Sequence, residues 1–141
     1  MKDLITKQLR RDEGERLSAY QDHLGFWTIG VGRLIDSRRG GGITAEESAM
    51  LLSNDIDVRL KALELHIPWF KDLDDARKGV LVNMAFQLGI TGLLGFKNTL
   101  EAVRTGKYAQ AAKGMRESKW YSQTPNRAER LAKQMETGEW Q

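Results

Sequence analysis

Three residues near the start of the chain have the types and spacing needed to cleave an acetal. Glu13 ends the charged run "RRDEG", Asp22 follows with eight residues between, and Thr28 follows Asp22 with five between. Glu13 directly precedes Gly14, a helix-stopping residue, so its carboxyl group is placed at a helix C-terminus. The helix dipole carries partial negative charge there and disfavours the ionised carboxylate, and partial burial adds to the effect. A carboxylic acid that keeps its proton is what a general acid requires. Asp22 falls in a strand-rich stretch beside a turn, hydrated enough to stay ionised. Two carboxyl groups whose surroundings push their protonation apart form the acid/base arrangement of glycoside hydrolysis. One protonates the leaving oxygen, while the other guides a water or attacks the sugar. Thr28 offers a hydroxyl that can hold that water. Glu13 and Thr28 also have ordinary structural readings: a helix-end glutamate paired with an arginine, and a β-branched residue in a strand. Phe26 and Trp27, next to Thr28, read equally well as strand-pair or core aromatics.

The elements that must position these residues can be read from the chain pattern. A first helix is expected from Asp3 as N-cap, with Ile5 and Leu9 one turn apart, to the stop at Gly14. "AYQD", "FWTIGVG" and "LID" are short, β-branched or aromatic and separated by glycines, which predicts two or three antiparallel strands. "SRRGGG" at 37–42 reads as a turn or mobile loop. "TAEE" is a capping box, Thr44 with Glu47, and it opens a long helix whose apolar stripe is Leu52, Ile56, Leu60 and Leu63. Pro68 lies just beyond that helix. "DDARKGVLVNMAFQLG" turns apolar nearly all round in its second half, which predicts a central buried helix closed by Gly89. Shorter helices fit "FKNTLEAVRTG" and "KYAQAAKGM"; a last one has Thr124 as cap, Pro125 at its first position and Gly138 as stop.

Composition narrows the chemistry. The 141 residues carry a net charge of +3 and no cysteine, which removes disulfides and thiolate catalysis. His23 and His66 lie far apart without metal-ligand spacing, so no metal and no cofactor is expected. No apolar run approaches the roughly 18 residues of a membrane span. Basic residues are interleaved with acids rather than gathered in a stripe, so nucleic acid is not an expected partner. The modest positive charge fits either a solubilising surface or attraction to a polyanion such as an acidic cell wall.

The pattern of "DEG", "RL", "Y-x-D", "G" and "TIG-x-G" resembles the catalytic signature of phage lysozymes of the T-even type, the endolysin glycoside hydrolases. The resemblance continues through "ITAEE", "NMAFQLGITGLLGFKNTL" and "SKWYSQTPNRAERL" and covers nearly the whole chain. It implies an α+β lysozyme-like fold, a small antiparallel β lobe of about 15–43 and a larger helical lobe of 1–14 and 44–141, joined by a long helix into a single domain. It implies a muramidase acting on the β-1,4 bond between N-acetylmuramic acid and N-acetylglucosamine in peptidoglycan. Glu13 matches the general acid, Asp22 the opposite carboxylate and Thr28 the threonine beside the catalytic water. An inverting single displacement follows from the same likeness, and it would place the two carboxyl groups roughly 6.5–9.5 Å apart.

By the same matching, Leu34, Phe86, Gln87 and Thr99 line the saccharide cleft, and Arg127 pairs with Glu13. Phe86 is equally readable as core, Gln87 as a helix-end hydrogen bonder and Arg127 as a solvated residue. Three positions depart from the family. Arg33 stands where a histidine is usual, and is expected to take over that histidine's pairing with Asp55. Gly114 stands where the family has a cleft asparagine, and the segment "DSRRGGG" is shorter than its counterpart. The charged N-terminus lacks the apolar core of a secretory signal. The expected setting is therefore a monomer in the host cytoplasm, without stable membrane insertion, that reaches the wall after membrane permeabilisation. Competing expectations are a non-catalytic wall-binding or virion structural module, a lytic transglycosylase, which needs no second carboxylate, and killing by a basic amphipathic helix.

Overall fold

Helix α1 spans Lys2–Glu13 in the computed structural model, which describes residues 1–36 and 38–141. Its start corrects the expected cap: Met1 holds the N-cap position and Asp3 sits inside the first turn, where its charge suits the dipole. Its end is as expected. Gly14 breaks the helix and its N–H bonds the Arg10 carbonyl at 3.0 Å.

Three strands follow, β1 (Arg16–Gln21), β2 (Trp27–Gly30) and β3 (Arg33–Leu34), antiparallel and in sequential order. Arg16 faces Gly30, Tyr20 faces Thr28 and Gln21 faces Trp27, with an irregularity between Arg16 and Tyr20. Thr28 is also paired with Leu34 on the other side, so it occupies the middle strand. Beyond β3 the chain turns at Arg38–Gly41 through a 2.8 Å backbone bond, and the Gly42 N–H returns to the Leu34 carbonyl. The expected turn at 37–42 is thus present in its described part; Ser37 lies outside the described residues.

The capping box is formed as expected. The Thr44 N–H bonds Glu47 Oε1 at 2.9 Å, the Glu47 N–H bonds Thr44 Oγ1 at 3.1 Å, and α2 runs Ala45–His66. The chain groups into two compact units, Met1–Leu51 and Leu52–Gln141. Helix α1 and the start of α2 fall in the first unit with the sheet.

The second unit is all helix. After the end of α2 comes a single 3-10 turn, Pro68–Asp72, then α3 (Asp75–Leu94), α4 (Lys97–Arg104), α5 (Tyr108–Arg116), α6 (Lys119–Gln123) and α7 (Pro125–Thr137). Gly89 does not close α3 but kinks it, and helix resumes to Leu94. Asp74 caps α3 by accepting from the Arg77 N–H. Val80, Leu81, Met84 and Ala85 of α3 are buried, as the apolar second half predicted. They join Leu63, Phe70, Val103, Met115, Leu131 and Met135 in one core. Of the predicted α2 stripe only Leu63 is fully buried; Leu52 is 50 % exposed. Trp120 packs edge-to-face on Phe96 with ring centres 6.0 Å apart. Thr124 precedes α7 as expected, but its hydroxyl donates to the Trp120 carbonyl rather than capping the helix. Gly138 ends α7 in the left-handed conformation. Among the described residues, no single helix is long and apolar enough to cross a membrane.

Candidate active site

The first unit brings Asp22, Thr28 and the backbone of Phe26 into one hydrogen-bonded turn. Asp22 leaves β1 and the chain returns at Phe26 into β2, with the Asp22 N–H on the Phe26 carbonyl at 2.8 Å. The Asp22 side chain closes the same turn from the other direction. Its Oδ1 accepts the N–H groups of Leu24 and Phe26, both at 2.9 Å. Gly25, at φ 83°, makes the reversal this tight, a conformation that a Cβ disfavours. The Phe26 carbonyl then accepts a second bond, from Thr28 Oγ1 at 3.1 Å. The backbone of one residue therefore fixes both the aspartate and the threonine.

The electrostatics of Asp22 follow from this turn. The Phe26 N–H holds its carboxyl below the usual carboxylate range, partial burial opposes that, and the Leu24 N–H and the Arg38 guanidinium lower it further. Asp22 is an ionised group at working pH. Thr28 is 3 % exposed, and because its hydroxyl proton is committed to a carbonyl, its oxygen lone pairs are what it can offer a water.

Glu13 enters from the opposite end of the ladder. Its carboxyl group lies over Gly32, where a Cβ would stand 3.0 Å from Oε2 and 3.1 Å from Cδ. Gly32 also has φ 71°, so its backbone favours glycine, and a side chain there would press on the Glu13 carboxyl group. Gly30 ends β2 beside Arg16, whereas Trp27 begins it beside Gln21. The glutamate and the aspartate thus approach β2 from its two ends, and a strand of four residues spans on the order of 10 Å. Leu34, expected in the saccharide cleft, lies on β3 directly beside Thr28.

In the second unit, Phe86, Gln87, Thr99 and Arg127 are each held by local contacts. Phe86 is 38 % exposed, with the Arg59 guanidinium 4.9 Å above its ring. Gln87 accepts from the Trp120 indole at 2.9 Å. Thr99 is buried, and its hydroxyl would lie 2.6 Å from a Cβ at Gly114, so the missing asparagine is linked to close approach of these two residues. Around them Asn98, Gln110, Lys113 and Glu117 complete a polar cavity of about 290 Å³. Phe86 and Arg127 line another, of about 440 Å³, with Leu52, Ile56, Val82 and Trp140.

The residues that sequence reasoning missed are Arg38, Gly32 and Asn83. Arg38 Nη2 donates to Asp22 Oδ2 at 2.9 Å from sixteen residues away. Its signal in the sequence was only a basic pair before three glycines.

Comparison with known proteins decides the relationship. The phage lysozyme family pattern matches residues 10–136. The chain belongs to the phage lysozyme family. It is 36 % identical to "Probable T4-type lysozyme 1" of Dictyostelium discoideum, over 95 % of this chain and 94 % of that one. It is 33 % identical to the pre-baseplate central spike protein of Enterobacteria phage T4, over 95 % of this chain but 28 % of the spike. An endolysin of Salmonella phage P22 is 34 % identical over 74 % of this chain and 73 % of its own.

As a member of the phage lysozyme family, the chain holds both expected supporting arginines by contacts within their own units. Within the first unit, Arg33 Nη1 donates to Glu47 Oε1 at 2.9 Å and to the Gly42 carbonyl at 3.1 Å. Glu47 already faces β3 through the capping box, so the guanidinium meets it within the same unit. Within the second unit, Arg127 donates through Nε to Asn83 Oδ1 at 2.9 Å and through Nη2 to the Asn83 carbonyl. The long phage lysozyme helix thus serves the β lobe through its first turn.

Proposed function

We propose that this protein is a muramidase that hydrolyses the β-1,4 bond between N-acetylmuramic acid and N-acetylglucosamine in peptidoglycan. Glu13 protonates the leaving oxygen. Asp22, ionised on the other side, takes up the proton that the attacking water loses as it bonds to the anomeric carbon, and Thr28 accepts the water's other hydrogen bond, aiming its lone pair at the sugar. The observation that carries this reading is the Phe26 backbone, whose N–H fixes an ionised carboxylate and whose carbonyl fixes a hydroxyl acceptor in one turn. The entry of Glu13 at the far end of β2 leaves space for a water between the two acids, which supports inversion. Host lysis after membrane permeabilisation is the setting we propose for it.

The test is mass spectrometry of purified peptidoglycan after digestion. Reducing muramic ends are expected; anhydro ends would make the protein a transglycosylase. Glu13→Gln keeps the shape but supplies no proton, and is expected to lower turnover at least roughly 10²–10⁴-fold. Near-normal turnover in a folded Glu13→Gln protein would remove Glu13 from the mechanism.

The likeness to a phage spike protein favours a second reading, a virion component with this fold. Binding to peptidoglycan without release of any fragment is the outcome that supports it.

A further inference from the structure

We propose that Arg38 is a positioning residue of this site, gripping Asp22 from the glycine-rich loop and fixing both its rotamer and its charge. The role in turnover rests on the hydrolase reading above; the grip itself does not. Asp22 has two oxygens with different partners. Oδ1 is fully engaged by the Leu24 and Phe26 N–H groups, so Oδ2 is the oxygen left to face a water, and Arg38 Nη2 is its hydrogen-bond partner at 2.9 Å. The guanidinium carbon also lies over the Phe26 ring, 3.6 Å from its centre. The residue that fixes Oδ1 through its backbone therefore seats, through its ring, the cation that fixes Oδ2.

Two further observations separate this contact from a surface ion pair. The side chains of Arg38 and Asp22 are 31 % and 20 % exposed, and among the described residues no other ion pair has both partners below a third. Arg38 Nε is buried without a hydrogen-bond partner, the one such side-chain atom among the described residues. A free surface arginine would turn that donor to water. Here Asp22 and the Phe26 ring dictate the seat even though one donor goes unpaired.

The charge that acts on Asp22 is that of Arg38. His23 follows Asp22 in the chain and Asp36 precedes Arg38 in its loop. Removing the cation leaves the two backbone N–H groups in place. The aspartate is then held less strongly in its ionised form and its free oxygen has no fixed direction.

The experiment is a carboxyl-carbon NMR titration of Asp22 in the full chain, wild type against Arg38→Gln and Arg38→Lys, beside the pH–rate profile on purified peptidoglycan. In Arg38→Gln the Asp22 midpoint is expected to rise, yet remain below the ordinary aspartate value of about 3.9 because the backbone donors persist. The acid limb of kcat should move by the same amount, with kcat lowered several-fold and KM nearly unchanged. Arg38→Lys restores the charge without the stacked fork, so the midpoint should return towards wild type while kcat does not fully recover. An unmoved Asp22 midpoint in folded Arg38→Gln overturns the proposal. So does a moved midpoint with unchanged kcat, which would make the pair an ordinary surface contact. If wild type releases no fragment from peptidoglycan, the hydrolase reading falls instead, and the titration alone decides the grip.

Discussion

The two units are held together by different physics. In residues 52–141 nineteen core side chains form one apolar cluster running from Leu63 to Met135. In residues 1–51 the only buried residue among those described is Thr28, a polar one. The first unit therefore relies on backbone pairing, side chains bonded to backbone and glycine-permitted turns, while the second relies on burial. The groups proposed for catalysis in the first kind of structure are oriented by directional bonds, which fix angles better than apolar contacts do. A small sheet of this kind trades stability for geometry.

The strongest way to break the comparison is a large-to-small change in each unit. Phe70 is 1 % exposed in the second unit, and Phe70→Ala is expected to cost about 3–5 kcal/mol in denaturant unfolding. Leu17, 90 % exposed on β1, should change stability by no more than about 0.5 kcal/mol when replaced by alanine. Similar losses at both positions would show that the first unit buries more than its contacts indicate.

A smaller and more local effect is expected at Gly32. An alanine there needs φ 71° and puts its Cβ 3.0 Å from the Glu13 carboxylate. The backbone term alone is about 1–2 kcal/mol. Activity should fall further than that loss of stability explains, because the proposed acid is displaced. Gly32→Ala with full turnover would mean that Glu13 has slack at this end of the ladder.

The smallest effect sharpens the polar side of the comparison. Glu47 is held down at about 2, first by the Arg33 guanidinium and then by the Thr44 N–H, against an ordinary value of 4.5. A group whose folded value lies below its unfolded one stabilises above the unfolded value, and that contribution disappears as pH falls through the folded one. The Tm difference between wild type and Glu47→Gln should therefore be constant from about pH 5 to 9, since arginine stays charged. It should shrink from about pH 4.5 downwards, and added salt should reduce it because both side chains are over a third exposed or close to it. A difference that grows on acidification would contradict the pairing.

What was legible in the sequence was what is local. The stop at Gly14, the capping box of Thr44 and Glu47, the three short strands and the Gly138 stop depend on neighbours within about one turn, and they fold as written. The five-residue α6 escaped because it is too short for a period to show, although Ser118 caps it. Long-range polar pairing was the illegible part. Arg127 reaches Asn83 across 44 residues, Arg38 reaches Asp22 across 16, and nothing in composition marks those partners. Arg33 is the instructive case. The resemblance pointed to Asp55, and nothing in the capping-box pattern marked Glu47 as a second acceptor for this arginine. A carboxylate oxygen can accept twice, and Oε1 of Glu47 takes both the Thr44 N–H and the guanidinium.

The double duty of Phe26 has a consequence for which substitutions the chain can tolerate. Its N–H and carbonyl carry the bonds to Asp22 and Thr28, and any residue but proline supplies both. Its ring carries Arg38 and needs only an aromatic face. A saturation library at this position should therefore sort into three tiers rather than grade smoothly with hydrophobicity. Tyrosine and tryptophan should pass, aliphatic residues should keep the turn but release the arginine, and proline should be lost outright. Neighbouring Gly25, by contrast, is constrained through its backbone alone, and its tolerance should follow ease of positive φ, with asparagine the best of the replacements.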